Sequence, residues 1–185
     1  MTHPHTDSAR PADLASWTMM LRAQRGAAQE IARLVADTVL VHFPEAAYFV
    51  LWIDYDGDLA TDLFPESVRD AQGQILTDFD SSRLPSLPAT DPLRARWGGY
   101  DPADAVQVRH VLRSLRLSGG EFDNFPEDLR RDGDDEGYVP CLLLSPQARP
   151  DRWDTWDAED DDDRERLLRP YSAQRPSSGT AGPEA

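Results

Sequence analysis

Apolar positions recur at three- and four-residue steps from Leu14 to Val39: Leu14, Trp17, Met20, Leu21, Ala27, Ala28, Ile31, Leu34, Val35 and Val39. That spacing draws one stripe along a long amphipathic helix. Asp13 stands where an N-cap belongs, and Pro44 ends the run after His42-Phe43. Gly26 interrupts the pattern and marks a place where the helix bends or splits. The period then changes. Ala47 to Asp54 is apolar on both faces, as in a central strand. Asp56-Gly57 reads as a hairpin turn, and Leu59 to Phe64 as its return, with Pro65 interrupting the ladder. Ser67–Asp70 and Gln74–Leu76, about a turn at Ala71-Gln72-Gly73, form a second hairpin.

Residues 80–99 read as loop, broken by Pro85, Pro88 and Pro92. Asp101-Pro102 opens a second helix, striped by Ala105, Val108, Val111, Leu112 and Leu115 and closed by Gly119-Gly120. A short helical turn is expected near Pro126 to Arg130, and Tyr138 to Ser145 is the last strand. These elements predict an α+β fold: a long N-terminal helix and a second helix packed on a mostly antiparallel sheet of about four strands. Strand order is not encoded in this pattern. The expected organisation is a disordered N-terminus (1–12), one α+β domain (13–145), an acidic, partly helical extension (146–171) and a disordered tail (172–185).

Charge adds the next constraint. The 185 residues carry 34 carboxylates and 19 cations, a net charge of −15, and every cation is Arg. Arg without Lys reads as codon usage of a G+C-rich, bacterial genome. It also removes Schiff-base chemistry and a phosphate-loop lysine. The net charge repels nucleic-acid phosphates, so direct nucleic-acid binding is not expected unless the arginines gather on one face. A basic protein partner suits it better. No apolar run reaches the ~18 residues of a membrane span, and the start has no secretory pattern, which makes the cytoplasm the expected compartment. Cys141 sits in an apolar run and reads as a buried, inert thiol.

Candidate chemistry centres on Asp54-Tyr55-Asp56-Gly57-Asp58, at the end of an apolar strand. Over about ten residues this resembles the first motif of the haloacid-dehalogenase-like phosphatases. The resemblance implies Asp54 as nucleophile, Asp56 as general acid/base, a bound Mg²⁺ and a parallel Rossmann-like sheet; the family usually has Thr or Val where Asp58 stands, and the metal set on this alternative reading is Asp54, Asp56 and Asp58. A tight Asp-Gly hairpin turn explains the same letters without chemistry. Asp54, Asp56, Asp58 and Asp62 also begin like a calcium loop, but Leu59 and Pro65 stand where Gly and Glu are needed; Asp132 to Leu143 likewise lacks the bidentate anchor. His3, His5, His42 and His110 have no metal spacing. No cofactor is expected.

The alternative to chemistry is binding. Trp153 and Trp156 lie in a polar segment beside Asp160, Asp161, Asp162 and Asp163. Two Trp there dock the segment on its own domain or anchor an interface. The favoured expectation is a non-enzymatic acidic interaction module, of antitoxin, immunity or accessory-subunit type, whose oligomeric state the sequence does not specify. The alternative is a Mg²⁺-dependent phosphohydrolase using Asp54 and Asp56.

Overall fold

The first helix, α1 (Leu14–His42), runs unbroken through Gly26, where a Cβ would meet only open space. Asp13 caps it, its carboxylate accepting the Ser16 N–H at 2.7 Å. The computed structural model describes residues 13–56, 59–79, 83–131, 137–151 and 166–171, with backbone alone for 55, 56 and 59–61. Strands β1 (Ala46–Asp56), β2 (Leu59–Asp70) and β3 (Ile75–Asp78) follow as an antiparallel meander. Helices α2 (Pro92–Arg96) and α3 (Ala105–Leu117), then β4 (Asp123–Asn124) and β5 (Pro140–Leu143), complete the elements, with one turn of 3-10 helix at Glu127–Leu129. The five strands lie in the order β3-β2-β1-β5-β4, every pair antiparallel.

The α+β architecture is as expected, with five strands where about four were anticipated. The two hairpins share β2, which passes straight through Pro65. A register shift makes this possible: Val50 faces Ser67 while Leu51 faces Pro65, so Glu66 is the extra residue of a bulge. β3 pairs with β2 only from Ser67 to Arg69, which leaves the proline beyond that ladder. The second hairpin turns at Gly73, whose φ of 75° and close approach to Leu129 exclude a side chain.

Two further corrections concern caps. The loop expected over residues 80–99 contains α2, opened by Asp91 as N-cap and Pro92 in the first turn. The same Asp-Pro pair at 101–102 does not start a helix. Asp104 caps α3 instead, accepting the Val106 N–H at 2.9 Å, and Asp101 turns the chain before it. Trp97, just past α2, is buried and donates its indole N–H to Thr38 of α1 at 2.8 Å.

The sheet separates two cores by the alternation of β1 and β5. Phe49, Leu51, Ile53, Leu142 and Leu144 face α1 and α3, meeting Val35, Val39, Val108, Leu112 and Leu115. Tyr48, Val50, Cys141 and Leu143 face the other way, beneath Phe125 and Val139. Cys141, the one cysteine of the chain, is buried. Among the described residues no helix is long and apolar enough to cross a membrane.

Residues 166–171 belong to the helix-side core. Glu121 and Leu167 form an isolated bridge, with Glu121 donating to the Arg166 carbonyl at 2.9 Å and Leu168 donating to the Glu121 carbonyl at 2.8 Å. The Leu168 side chain is buried against Gly120, where a Cβ would lie 2.7 Å from it. Gln29 donates to the Leu167 carbonyl at 2.6 Å, Tyr171 to Asp37 at 2.6 Å, and Arg169 clamps the buried Asp123 with bonds of 2.6 to 3.1 Å.

Candidate interaction surface

The aspartate motif lies in a hairpin. β1 ends at Asp56, β2 begins at Leu59, and Asp54 stands opposite Asp62 across an antiparallel ladder. The parallel sheet implied by the phosphatase resemblance is therefore not the sheet of this protein. Asp62, which the motif did not include, is the structured carboxylate. It is buried and accepts the Leu63 N–H at 2.8 Å, the Arg109 Nε at 2.9 Å and the Arg109 Nη2. The Arg109 guanidinium holds its pKa below the usual carboxylate range, with the Leu63 N–H helping against burial. Arg109 in turn lies 4.0 Å over the Phe64 ring, and the Asp54 charge adds to its attraction for a proton. Asp62 thus anchors the hairpin to α3. The Asp56 side chain and Asp58 lie outside the described residues. Among the described residues no group of three or more His, Cys, Asp or Glu is placed to hold a metal ion.

A cleft of about 620 Å³ is lined by Trp52, Phe64, Pro65, Arg69, Phe125 and Tyr138 together with Ala105, Val106 and Arg109 at the start of α3. Its polar groups serve the fold. Arg69 is 1% exposed, bonds Ser67 at 2.9 Å and Glu66 at 2.9 Å, and lies 4.9 Å over Phe125. Arg130 donates to the Phe125 carbonyl at 2.9 Å and to Asn124 at 3.0 Å. A hydrogen-bonded arginine of this kind spares a buried charge rather than offering one to a ligand.

The helix layer is different. From Leu14 to Ala27 every residue of α1 is exposed except the partly buried Leu21 and Arg25. Leu14 is 79% exposed, Trp17 50%, Met19 70% and Met20 52%. This half of the helix projects from the core with its apolar stripe largely uncovered, and an isolated helix of such length is marginal in water. Two clefts flank it. One, of about 310 Å³, lies between Gln24, Ala27 and Ile31 of α1 and His110, Val111 and Ser114 of α3. The other, of about 600 Å³, has Leu21, Ile53, Leu63 and Phe122 as apolar lining and Arg25, Arg116 and Arg166 around them. Ser118 lines both.

Charge is also unevenly distributed. The three helices carry eight of the 19 arginines and only two carboxylates, Glu30 and Asp37. The acid excess therefore belongs to strands, turns and the remaining chain. The interaction residues expected from sequence, Trp153, Trp156 and Asp160 to Asp163, lie outside the described residues, as does most of the expected C-terminal helix. Arg25, Arg116 and Arg166 were not foreseen. They come together from two helices and a late segment, and no local spacing announces that. Trp17 could have been found, since a Trp in the first turns of a capped helix has little core to reach.

No protein-family model, no curated protein and no solved structure matches this chain, so the reading of its function rests on these surfaces alone.

Proposed function

We propose that the chain is a non-enzymatic interaction module that docks a protein partner along the projecting half of α1. The observation that carries this reading is the uncovered stripe of Leu14, Trp17 and Met20 on a helix whose other half is core. A partner that lays an apolar surface on that stripe shields it from water and holds the helix in place. The charge of −15, carried outside the helices, draws a basic partner in from a distance, while the docking stripe itself is apolar; an antitoxin, immunity or accessory-subunit role fits such a module.

The test is a photo-crosslinking residue placed at Trp17 or at Met20, with the same residue at the exposed Gln72 of the meander as control, in the native cell. One discrete adduct from positions 17 and 20, absent from 72, is the expected result, with association that slows as salt is raised. Identical adduct patterns from all three positions would sink the reading.

A further inference from the structure

We infer that Gln29, Asp37, Gly120, Glu121 and Asp123 form a peptide-binding groove selective for a Leu-Arg-Pro-Tyr sequence, which residues 168–171 fill in cis and which accepts the same sequence in trans. The groove uses none of the stripe residues Leu14, Trp17 and Met20, and the docking proposed for them has no part in it.

Residues 166–171 meet the domain as a ligand meets a receptor. Among the described residues every helix and strand is complete by Leu143, and this run follows Asp151 only after fourteen further residues of chain. Its partners Asp123, Gln29 and Asp37 stand 46, 138 and 134 positions away in sequence. Glu121 pairs with it as a single parallel bridge, giving its N–H to the Arg166 carbonyl at 2.9 Å and taking the Leu168 N–H at 2.8 Å. The Gln29 amide donates to the Leu167 carbonyl at 2.6 Å. Bonds to the main chain hold a peptide whatever its side chains, and pockets for those side chains supply the selectivity.

The groove reads four consecutive residues. Leu168 is buried over Gly120, where any side chain would collide with it. Arg169 forks onto the Asp123 carboxylate, with Nη2 at 2.6 Å and Nε at 3.0 and 3.1 Å. Asp123 is 0% exposed, so an empty groove leaves a buried charge uncompensated, and a lysine cannot supply the fork. Pro170 is buried beside it; it brings no N–H that needs a partner, and its fixed φ leaves less freedom to lose on docking. Tyr171 donates its hydroxyl to Asp37 at 2.6 Å. The covalent link raises the effective concentration of the cis copy to the millimolar range, so the groove is filled in the free chain and opens to a competitor that exceeds this.

The test inserts the site of a sequence-specific protease between residues 157 and 158 of the full chain and nicks the folded protein there. A fluorescent peptide of residues 165–172 is then titrated in and followed by anisotropy. The expected result is that the C-terminal fragment co-elutes with the nicked domain and that excess peptide displaces it, with the circular dichroism of the intact chain retained. The intact chain should take up the peptide at least about tenfold more weakly than the nicked one, because its tethered copy competes. Arg169→Ala in the peptide should weaken binding to the nicked protein at least about thirtyfold, and Arg169→Lys or Tyr171→Phe about fivefold. These changes are made in the peptide, so none of them disturbs the fold of the protein. Equal affinity for nicked and intact chains puts the peptide elsewhere and overturns the inference. An Arg169→Ala peptide that binds as well as its parent does the same. So does a fragment that excess peptide fails to release, or a domain that loses its fold on nicking, since residues 166–171 are then core and not ligand.

Discussion

The two halves of α1 carry the same kind of stripe and meet opposite surroundings. Ala32, Leu34, Val35 and Val39 are buried among strands and α3, while Leu14, Trp17, Met19 and Met20 stand in water. The C-terminal half uses small and branched residues that let the helix approach a twisted sheet. The N-terminal half uses long and aromatic ones, which reach outward. An amphipathic period therefore says that a face is apolar, and side-chain size says how near its neighbour can come.

The sharpest way to break this contrast is a matched pair of truncations. Leu34→Ala should destabilise the isolated protein by about 3 kcal/mol, while Trp17→Ala should change it by less than ~0.5 kcal/mol, both read from urea unfolding. A comparable loss from both would mean that the projecting half is covered even in the free protein. Gly120→Ala tests the late segment that completes the buried half. The added methyl falls within contact distance of Leu168, and a loss of about 1–3 kcal/mol is expected from the displaced leucine. Gly26→Ala works the other way. Its Cβ meets open space in an unbroken helix, so a gain of about 0.5–1 kcal/mol in thermal or urea stability should follow. A loss instead would reveal a kink or a contact at the junction of the halves.

The smallest effect is one of pH. Burial, then the hydrogen bond to Asp37, push the Tyr171 phenol from 10.0 up to about 12. The folded value exceeds the unfolded one, so its contribution is complete below pH 10 and disappears as pH rises towards about 12. Unfolding midpoints compared across that window should converge for the wild type and Tyr171→Phe. Equal midpoints for the two proteins below pH 10 would assign the contact to ring packing alone.

Much of this fold was legible in the order of its residues. The helical period gave α1 and most of α3, and Asp-Gly and Gly73 placed both turns of the meander. What stayed hidden is non-local. Pro65 argued for a break because a bulge at Glu66 leaves no mark in sequence. The five residues of α2 are too few to show a period, and prolines around them argue for loop. The Asp62–Arg109 and Asp123–Arg169 pairs span 47 and 46 residues, beyond any window in which charges can be paired by eye. For the surface, Trp17 was visible and undervalued. The three arginines of the cleft were invisible, since each is ordinary where it stands.

The bonds that finish α1 also have a direction in time. Gln29 waits for Leu167 and Asp37 waits for Tyr171, partners made 138 and 134 residues later. At ribosomal rates that delay is on the order of ten seconds. The nascent helix spends that interval with its greasy side bare, within reach of chaperones and of any binding protein already in the cell. A partner of the kind proposed could meet this helix before the rest of the chain exists.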